Sequence, residues 1–450
     1  MKNIDTSSVS LDQVKDDLAN MFGGNIDETD MTGISNSNWV EYKNNELMHN
    51  QVYTHQIPKM IKFAALNPEM WNTSLLFLGP TAIGKTEAIR QGLDEAAEEM
   101  GRHLNLTELH VSQMGPVDAL GVPRERNGRT YWAPLEKWPL STALEGHDEQ
   151  VTRYIDHYHE TGERDYTMLP KEWYVHFHDE VTNPSSPQIP HQLFTSWIGD
   201  STSRMIGSNR LVRDYMVILA GNRVADGTNS IPLAASATTR LGIIEVVPHF
   251  GGWLQNYAFQ TKRIGGENVS RIHPIVIAYL QRFNAKFAPQ DLNKRSAMDP
   301  FPTPRNWTFV SDILYTNERN PLDEDLLKAA IAARVGSACC QEFFSFIAHY
   351  KDIPNVDRVL RGEEVHNWPR KDRTDLLMIL GTQMVVKVDE KTAPVFVKLM
   401  TDDKKFSNEV AIATMRQLRP AGKLADVIYK WAPKEFLEFT QKYGSLMLHA

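Results

Sequence analysis

The sequence predicts an α/β protein whose parallel sheet is covered by helices on both faces and followed by an all-α region. Short apolar runs alternate with helix-like stretches between about residues 46 and 265, as in parallel strands joined by helical crossovers. From Ile272 onward, apolar residues recur at helical spacing almost throughout. Hydrophobic residues make up 42% and charged residues 23% of the 450 residues, which is typical of a globular chain with two or three domains.

The elements divide the chain into four parts in order. Residues 1–45 are acidic and polar, with too few apolar side chains to offset the entropy of ordering, so we expect a flexible tail. Residues 46–265 form the α/β core, residues 266–350 a helical region, and residues 351–450 a second helical region that starts with a connector at 351–370. Predicted strands are 75–79, 110–111, 173–177 and 216–220, and predicted helices include 86–100, 188–197 and 326–350.

Charge and cysteine content exclude several classes of protein. The net charge is −8, and residues 1–40 alone carry −5, so no general basic field attracts nucleic acid, although a local basic groove is compatible with these values. No apolar run approaches 18 residues and the N-terminus lacks a signal-peptide pattern, which argues against a membrane or secreted protein. The only cysteines, Cys339 and Cys340, are neighbours in a helix-like run, which favours a reducing, cytoplasmic location.

A phosphate-binding loop follows the first predicted strand. It matches Gly-x-x-x-x-Gly-Lys-Ser/Thr, with the required strand before it and helix after it. Backbone N–H groups of such a loop surround the β-phosphate, while Lys85 would neutralise the β- and γ-phosphates and Thr86 would coordinate Mg²⁺. The predicted cofactors are therefore ATP and Mg²⁺. The predicted nucleotide-binding residues are Gly79, Pro80, Thr81, Ala82, Ile83, Gly84, Lys85 and Thr86.

An acidic pair ends the predicted strand at 173–177. Asp179 and Glu180 would lie at the carboxyl edge of the parallel sheet, where Asp179 could hold Mg²⁺ and Glu180 could activate the attacking water. A solvated Asp-Glu turn is the alternative. His176 and His178 alternate onto one face of this strand. They are interpreted as hydrogen-bonded structural histidines, and a metal site is the alternative.

Three further segments resemble parts of AAA+ ATPases. Residues 216–223 resemble the sensor 1 strand, residues 231–241 resemble the arginine-finger helix, and residues 302–307 resemble the sensor 2 helix. The resemblance implies a P-loop AAA+ core followed by an all-α lid and a C-terminal helical region. It also implies catalytic roles for Asn222, Arg240 and Arg305. Each has an ordinary structural alternative, namely a turn residue for Asn222 and a helix-end or capping cation for each arginine.

The MoxR branch of AAA+ ATPases, in its bacterial and phage-encoded forms, is the more specific resemblance. Its motifs are matched at 111–118, 121–123, 129–134 and 179–184, whereas His176, His178 and a polar insertion at 141–169 depart from the pattern. The resemblance implies a ring, with a hexamer as the first expectation, that remodels a protein client. It also implies a partner with a von Willebrand factor A domain.

Two other functions stay open at this stage. A nucleic-acid motor or defence-type ATPase would use the same core, but it would need a basic pore or an added nuclease, and neither is evident in the sequence. A slowly hydrolysing scaffold would use nucleotide only to assemble. Nucleic acid is therefore a poor default partner, and no membrane partner is expected.

Overall fold

The computed structural model describes residues 50–115, 118, 121–184, 204–206, 209–226, 230–233, 235–288, 299–348 and 353–448. The predicted acidic tail and the predicted helix at 188–197 lie outside these residues. The described chain forms two compact units, an α/β unit made mainly of residues 50–249 and a helical unit of residues 250–287 and 299–448.

The strands are short; six of the twelve described strands form one sheet, and the other six form three two-stranded sheets. They are β1 Gln51–Tyr53, β2 Ser74–Leu78, β3 His103–His110, β4 Val122–Arg126, β5 Arg129–Ala133, β6 Glu172–Asp179, β7 Met205–Ile206, β8 Asn209–Arg210, β9 Met216–Gly221, β10 Leu241–Val247, β11 Thr261–Ile264 and β12 Glu267–Ser270.

The α-helices of the α/β unit are α1 Ile57–Leu66, α2 Lys85–Met100, α3 His147–Thr161 and α4 Ala235–Thr238. Those of the helical unit are α5 Phe250–Trp253, α6 Pro274–Arg282, α7 Pro304–Arg319, α8 Glu324–Val335, α9 Ser337–Ala348, α10 Val356–Leu360, α11 Thr374–Lys387, α12 Ala393–Thr401, α13 Asn408–Arg416, α14 Leu424–Asp426 and α15 Pro433–Leu448. Within the described residues, no helix combines the length and the apolar character needed to cross a membrane.

The central sheet is parallel, with the strand order β1-β10-β2-β9-β6-β3. Strand β2 lies between β9 and β10, and its end at Leu78 pairs with Gly221 and Glu245. At the other side of β9, the register of β3 and β6 places His110 opposite Asp179. The carboxyl ends of these strands therefore meet at one edge of the sheet, as in other open parallel sheets.

Both faces of the sheet are buried, which confirms the predicted α/β class. On one face, alternate strand residues such as Phe77, Val175 and Ile218 pack with apolar residues of α1, α2 and α3. On the other face, Leu76 and Leu219 pack with loop residues and with α4. Strands buried on both faces need nearly continuous apolar sequence, which explains why β2, β6 and β9 were predictable.

Strand β3 is longer than the sequence predicted and begins at His103. It pairs only with β6 among the described strands, and most of its residues are only partly buried. An edge strand tolerates polar residues because one side faces water, so its apolar signal was weak.

A buried ion network fixes the sheet end opposite the phosphate-binding loop. The guanidinium of Arg102 lies 2.5 Å from one oxygen of Asp214, and His147 Nε2 lies 2.7 Å from the other. Arg102 also donates to the carbonyl oxygens of Pro170 and Glu172, both at 2.8 Å. Burial alone would raise the pKa of Asp214, but Arg102 and His147 hold it below its ordinary value. The network joins α3 to the start of the sheet.

The helical unit has an aromatic core. The ring of Tyr279 lies 5.3 Å from Trp307 and 5.1 Å from Phe343 between ring centroids. The C-terminal helices join this core through Thr382, whose hydroxyl lies 3.1 Å from Gln281 Oε1 on α6. The described parts of regions 266–350 and 351–450 therefore pack as one unit.

Two boundaries differ from the sequence-based division. Residues 250–265, assigned from sequence to the core, group with the helical unit, where the rings of Phe250 and Trp253 contact Phe287 at 5.2 and 5.1 Å between centroids. The predicted helix at 326–350 is two helices, because Gly336 adopts a φ of 82° between α8 and α9.

Candidate active site

The phosphate-binding loop connects β2 to α2 at the carboxyl edge of the sheet. Gly84 has a φ of 95° and precedes Lys85, the first residue of α2. Gly79 N donates to Gly221 O at 3.2 Å. A Cβ on Gly79 would lie 2.6 Å from the carbonyl oxygen of Val246, so only glycine fits there. The loop is thereby fixed between β9 and β10.

Lys85 lies inside the loop and is only 8% exposed. Its ammonium donates to the carbonyl oxygens of Gly79 and Pro80, both at 2.8 Å, and to Asn222 Oδ1 at 3.3 Å. Asn222 follows β9 directly. The structure therefore brings the predicted loop lysine and the predicted sensor asparagine together.

Thr86 and Asp179 meet across the sheet edge. The Thr86 hydroxyl donates to Asp179 Oδ2 at 2.9 Å. A hydroxyl and a carboxylate are hard oxygen ligands, which Mg²⁺ accepts together with water and phosphate oxygens. The two predicted metal ligands thus fit a shared Mg²⁺.

Glu180 follows β6 in an unusual backbone conformation. Its φ is 58°, a left-handed value that costs a non-glycine residue about 1 to 3 kcal/mol and is concentrated at functional sites. Its N–H donates to Asp179 Oδ1 at 2.8 Å, and its carboxylate accepts a hydrogen bond from the Ser112 hydroxyl. The two neighbouring carboxylates therefore point to different partners, which an ordinary solvated turn does not require.

Thr182 positions Asn222 and was not predicted from the sequence. Its buried hydroxyl lies 3.0 Å from both the backbone N and the carbonyl oxygen of Asn222. A Cβ on Gly221 would come within 2.8 Å of the same hydroxyl, so glycine is needed there for the close approach. The Asn222 backbone is therefore fixed by the turn that carries the acidic pair.

An ion network supports the segment after Asn222. Arg223 lies 2.6 Å from Asp226 and also bonds to Glu245 on β10. Gln51 Nε2 donates to the second oxygen of Glu245 at 2.8 Å. The hydrogen bond from Gln51, together with that from Arg223, outweighs burial and lowers the pKa of Glu245. The network joins the ends of β1, β9 and β10 beside the loop.

A second group missed by sequence analysis lies beside Gly84. The methyl group of Thr54 would be 3.7 Å from a Cβ on that glycine. Thr54 Oγ1 and His55 Nδ1 are buried without a hydrogen-bond partner among the described residues. Burial, and then the neighbouring His249, lowers the pKa of His55 to about 4. The rings of His249 and Tyr53 are 4.3 Å apart between centroids.

His176 and His178 are buried on the sheet face away from α1 to α3. Burial, and then His178, lowers the pKa of His176, while burial and then Lys137 lower the pKa of His178 to about 3. His176 contacts Trp138 and Tyr215 at 4.4 and 5.1 Å between ring centroids. Within the described parts of the chain, no three His, Cys, Asp or Glu residues are grouped to hold a metal. Both histidines lie in the core, and His176 Nε2 lies 3.3 Å from the carbonyl oxygen of Lys137.

Arg240 lies at the end of the sheet opposite the loop, and Arg305 belongs to the helical unit. Arg240 is exposed just before β10, whose first residue, Leu241, pairs with Ser74 at the start of β2. It is therefore separated from the loop of its own chain by the length of β2, about 17 Å. Arg305 is exposed in the first turn of α7, in the helical unit.

Comparisons with known proteins add little to this geometry. No protein-family description matches the chain, and no curated protein matches it. Among solved structures, the chain is similar to an ORC1 protein of Aeropyrum pernix in complex with DNA. The identity is 13%, the alignment covers 83% of this chain and 85% of that chain, and the TM-score is 0.31.

Proposed function

We propose that the α/β unit binds ATP with Mg²⁺ and hydrolyses it as an AAA+ ATPase. One observation carries the proposal. Lys85 and Thr86 of the phosphate-binding loop meet Asn222 and Asp179 at a single sheet edge, at 3.3 and 2.9 Å. Three separated segments thus supply a cation that can bind phosphate, two metal ligands and a polar side chain at one point. Phosphoryl transfer to water requires this set of groups.

Each residue has a distinct role in this proposal. Lys85 turns from the loop carbonyls to the β- and γ-phosphates, and Thr86 and Asp179 hold the metal ion. Bound Mg²⁺ supplies charge neutralisation at the phosphate oxygens. Glu180 accepts a proton from the attacking water, and Asn222 orients that water. Ser112 positions the Glu180 carboxylate, and Thr182 positions the backbone of Asn222, through the hydrogen bonds described above.

The nucleoside part of ATP would lie near Thr54 and His55. Thr54 borders Gly84, and both Thr54 and His55 carry buried polar atoms that lack hydrogen-bond partners among the described residues. Buried polar groups are normally hydrogen-bonded, and a purine with ring nitrogens and an amino group offers both donors and acceptors.

The ring is the second part of the proposal. Arg240 lies about 17 Å from its own loop, so a finger at this position would act on a neighbouring subunit. Head-to-tail contacts of this kind close into rings. The MoxR resemblance supports a hexamer that remodels a protein client, with a partner containing a von Willebrand factor A domain.

Hydrolysis is tested with two variants of the full chain. Lys85→Ala is expected to lose ATP binding and turnover, because the β- and γ-phosphates then lose the ammonium group of the loop. Glu180→Gln is expected to lose turnover by 10²-fold or more, a typical size for a missing general base, while still binding ATP. Phosphate release and binding of a fluorescent ATP analogue measure the two effects.

Two exposed residues of the same unit provide matched controls. Lys59→Ala on α1 and Glu149→Gln on α3 remove the same charges away from the loop. Both should retain wild-type turnover. Undiminished hydrolysis in Lys85→Ala and Glu180→Gln would refute the site.

A mixing experiment tests the shared site. Arg240→Ala and Glu180→Gln subunits are each expected to be inactive alone. In mixed rings, an intact glutamate of the first variant can meet an intact arginine of the second, so part of the activity should return. Native mass spectrometry confirms that the subunits mix. Mixed rings without activity would contradict the role of Arg240.

A further inference from the structure

A β-hairpin lies between β3 and α3 in the sequence. Strands β4 and β5 pair antiparallel, and the turn between them is Asn127-Gly128, with φ values of 55° and 72°. Two successive positive φ values are typical of the two-residue type I′ turn, which matches the twist of a hairpin. At the base, a Cβ on Gly121 would lie 2.2 Å from the carbonyl oxygen of Ala133, so the chain passes close to itself there.

The register separates the two faces of the hairpin. Arg124 pairs with Tyr131, and Arg126 pairs with Arg129. Directly opposed residues share a face and successive residues alternate between faces. One face therefore carries three arginines and a tyrosine, which we call the arginine face. The other face carries Pro123, Glu125, Thr130 and Trp132.

The arginine face is open to solvent and locally basic. All four of its side chains are exposed, and the Tyr131 residue retains 41% of its accessible surface. No carboxylate lies on this face of the hairpin, whereas the whole chain has a net charge of −8. The chain therefore has a local cationic surface although its net charge is negative, and the composition was compatible with such a surface.

We propose that the arginine face binds single-stranded nucleic acid. Guanidinium groups match phosphate oxygens in geometry and charge, and an exposed aromatic ring on the same face can stack on an unpaired base. An acidic peptide would engage the arginines but would offer no base for Tyr131 to stack on. A duplex hides the faces of its bases. The combination therefore favours a single strand, and it does not depend on ATP hydrolysis.

Binding is tested with the full chain and a fluorescein-labelled 20-nucleotide oligothymidylate. Fluorescence anisotropy is measured without nucleotide at several salt concentrations. The R124A/R126A/R129A variant is expected to bind at least tenfold more weakly at low salt. Its slope of log K against log salt should be shallower by about 2, because each lost phosphate contact in single strands contributes about 0.7. Tyr131→Ala should lose on the order of tenfold and Tyr131→Phe should retain binding, since stacking needs only the ring.

The other hairpin face provides the control. Glu125→Gln and Thr130→Val change that face and should leave oligothymidylate affinity within about twofold. Circular dichroism checks that all variants are folded. The proposal is overturned if wild-type protein does not bind at low salt, or if the triple arginine variant binds as wild type does. It is also overturned if polyglutamate of equal charge binds as tightly without dependence on Tyr131, which would make the face a site for acidic protein segments.

Discussion

Lowering the pH from 7 to 5 is expected to destabilise the α/β unit through His178. This residue lies on β6, directly before the acidic pair, and is only 1% exposed. Burial, and then Lys137, lowers its pKa to about 3. In the folded chain the imidazole therefore stays neutral at pH 5, whereas the unfolded chain, with a pKa near 6.5, is mostly protonated there.

The sign and size follow from this difference in proton binding. The unfolded state binds more protons below about pH 6.5, so the free energy of unfolding falls as the pH falls. Each pH unit contributes up to about 1.4 kcal/mol, which gives about 2 kcal/mol from His178 at pH 5. The loss continues until the folded group itself titrates near pH 3. His176, whose pKa is lowered by burial and by His178, acts in the same direction.

The assay is urea unfolding of the full chain at pH 7, 6 and 5. His178→Leu replaces the imidazole with an apolar side chain that cannot bind a proton. The fall in the free energy of unfolding of the α/β unit between pH 7 and pH 5 should therefore be smaller by about 2 kcal/mol in this variant. His103→Leu on β3 is the control, because His103 is exposed. A wild-type value that does not change between pH 7 and 5, or a His178→Leu variant with the full wild-type pH dependence, would refute the reasoning.

Two further predictions concern the buried ion network and the contact between Thr182 and Asn222. Asp214→Asn should lower the free energy of unfolding by about 3 to 5 kcal/mol, because it leaves the buried Arg102 without its counterion. Thermal unfolding of this variant, with Asp148→Asn as the control, measures the loss. An equal decrease in melting temperature in the two variants would contradict the role of the network. Thr182→Val should reduce turnover while ATP binding is retained, because the Asn222 backbone loses its contact with the hydroxyl. Thr182→Ser keeps a hydroxyl and should restore turnover. Equal ATPase activity of the Val and Ser variants would argue against this positioning role.

The sequence predicted the central part of the candidate site because that part depends on strand ends. The phosphate-binding loop, Asp179 and Asn222 each follow an apolar run, and parallel strands bring such positions to one edge. The contacts of Ser112 and Thr182 depend instead on the conformation of turns after β3 and β6. A linear pattern gives no signal for a hydroxyl that becomes important only after two turns meet.

The polar insertion at 141–169 shows a signal that was present but missed. It contains α3, whose buried Val151 and Tyr154 are three residues apart, with Gly146 and Gly162 at its two ends. This is an amphipathic helix with glycine at its C-terminus, and many charged residues obscured the pattern. Its anchor to the sheet, Asp214, comes much later in the sequence, so the buried network was not predictable.

The central position of β2 has a consequence for protein synthesis. The strand and its phosphate-binding loop are complete at Thr86, but both neighbouring strands are translated much later, β9 from Met216 and β10 from Leu241. At about 5 to 20 residues per second, the ribosome needs roughly 7 to 30 s to reach β9 after β2. During this interval β2 has been synthesised, but β9 and β10, the two strands that it pairs with in the folded sheet, have not. Nascent chains that end before β10 carry the complete nucleotide motif, yet lack the strand that holds Gly79 in place. Chaperones that cover short apolar segments would therefore be needed most in this window of translation.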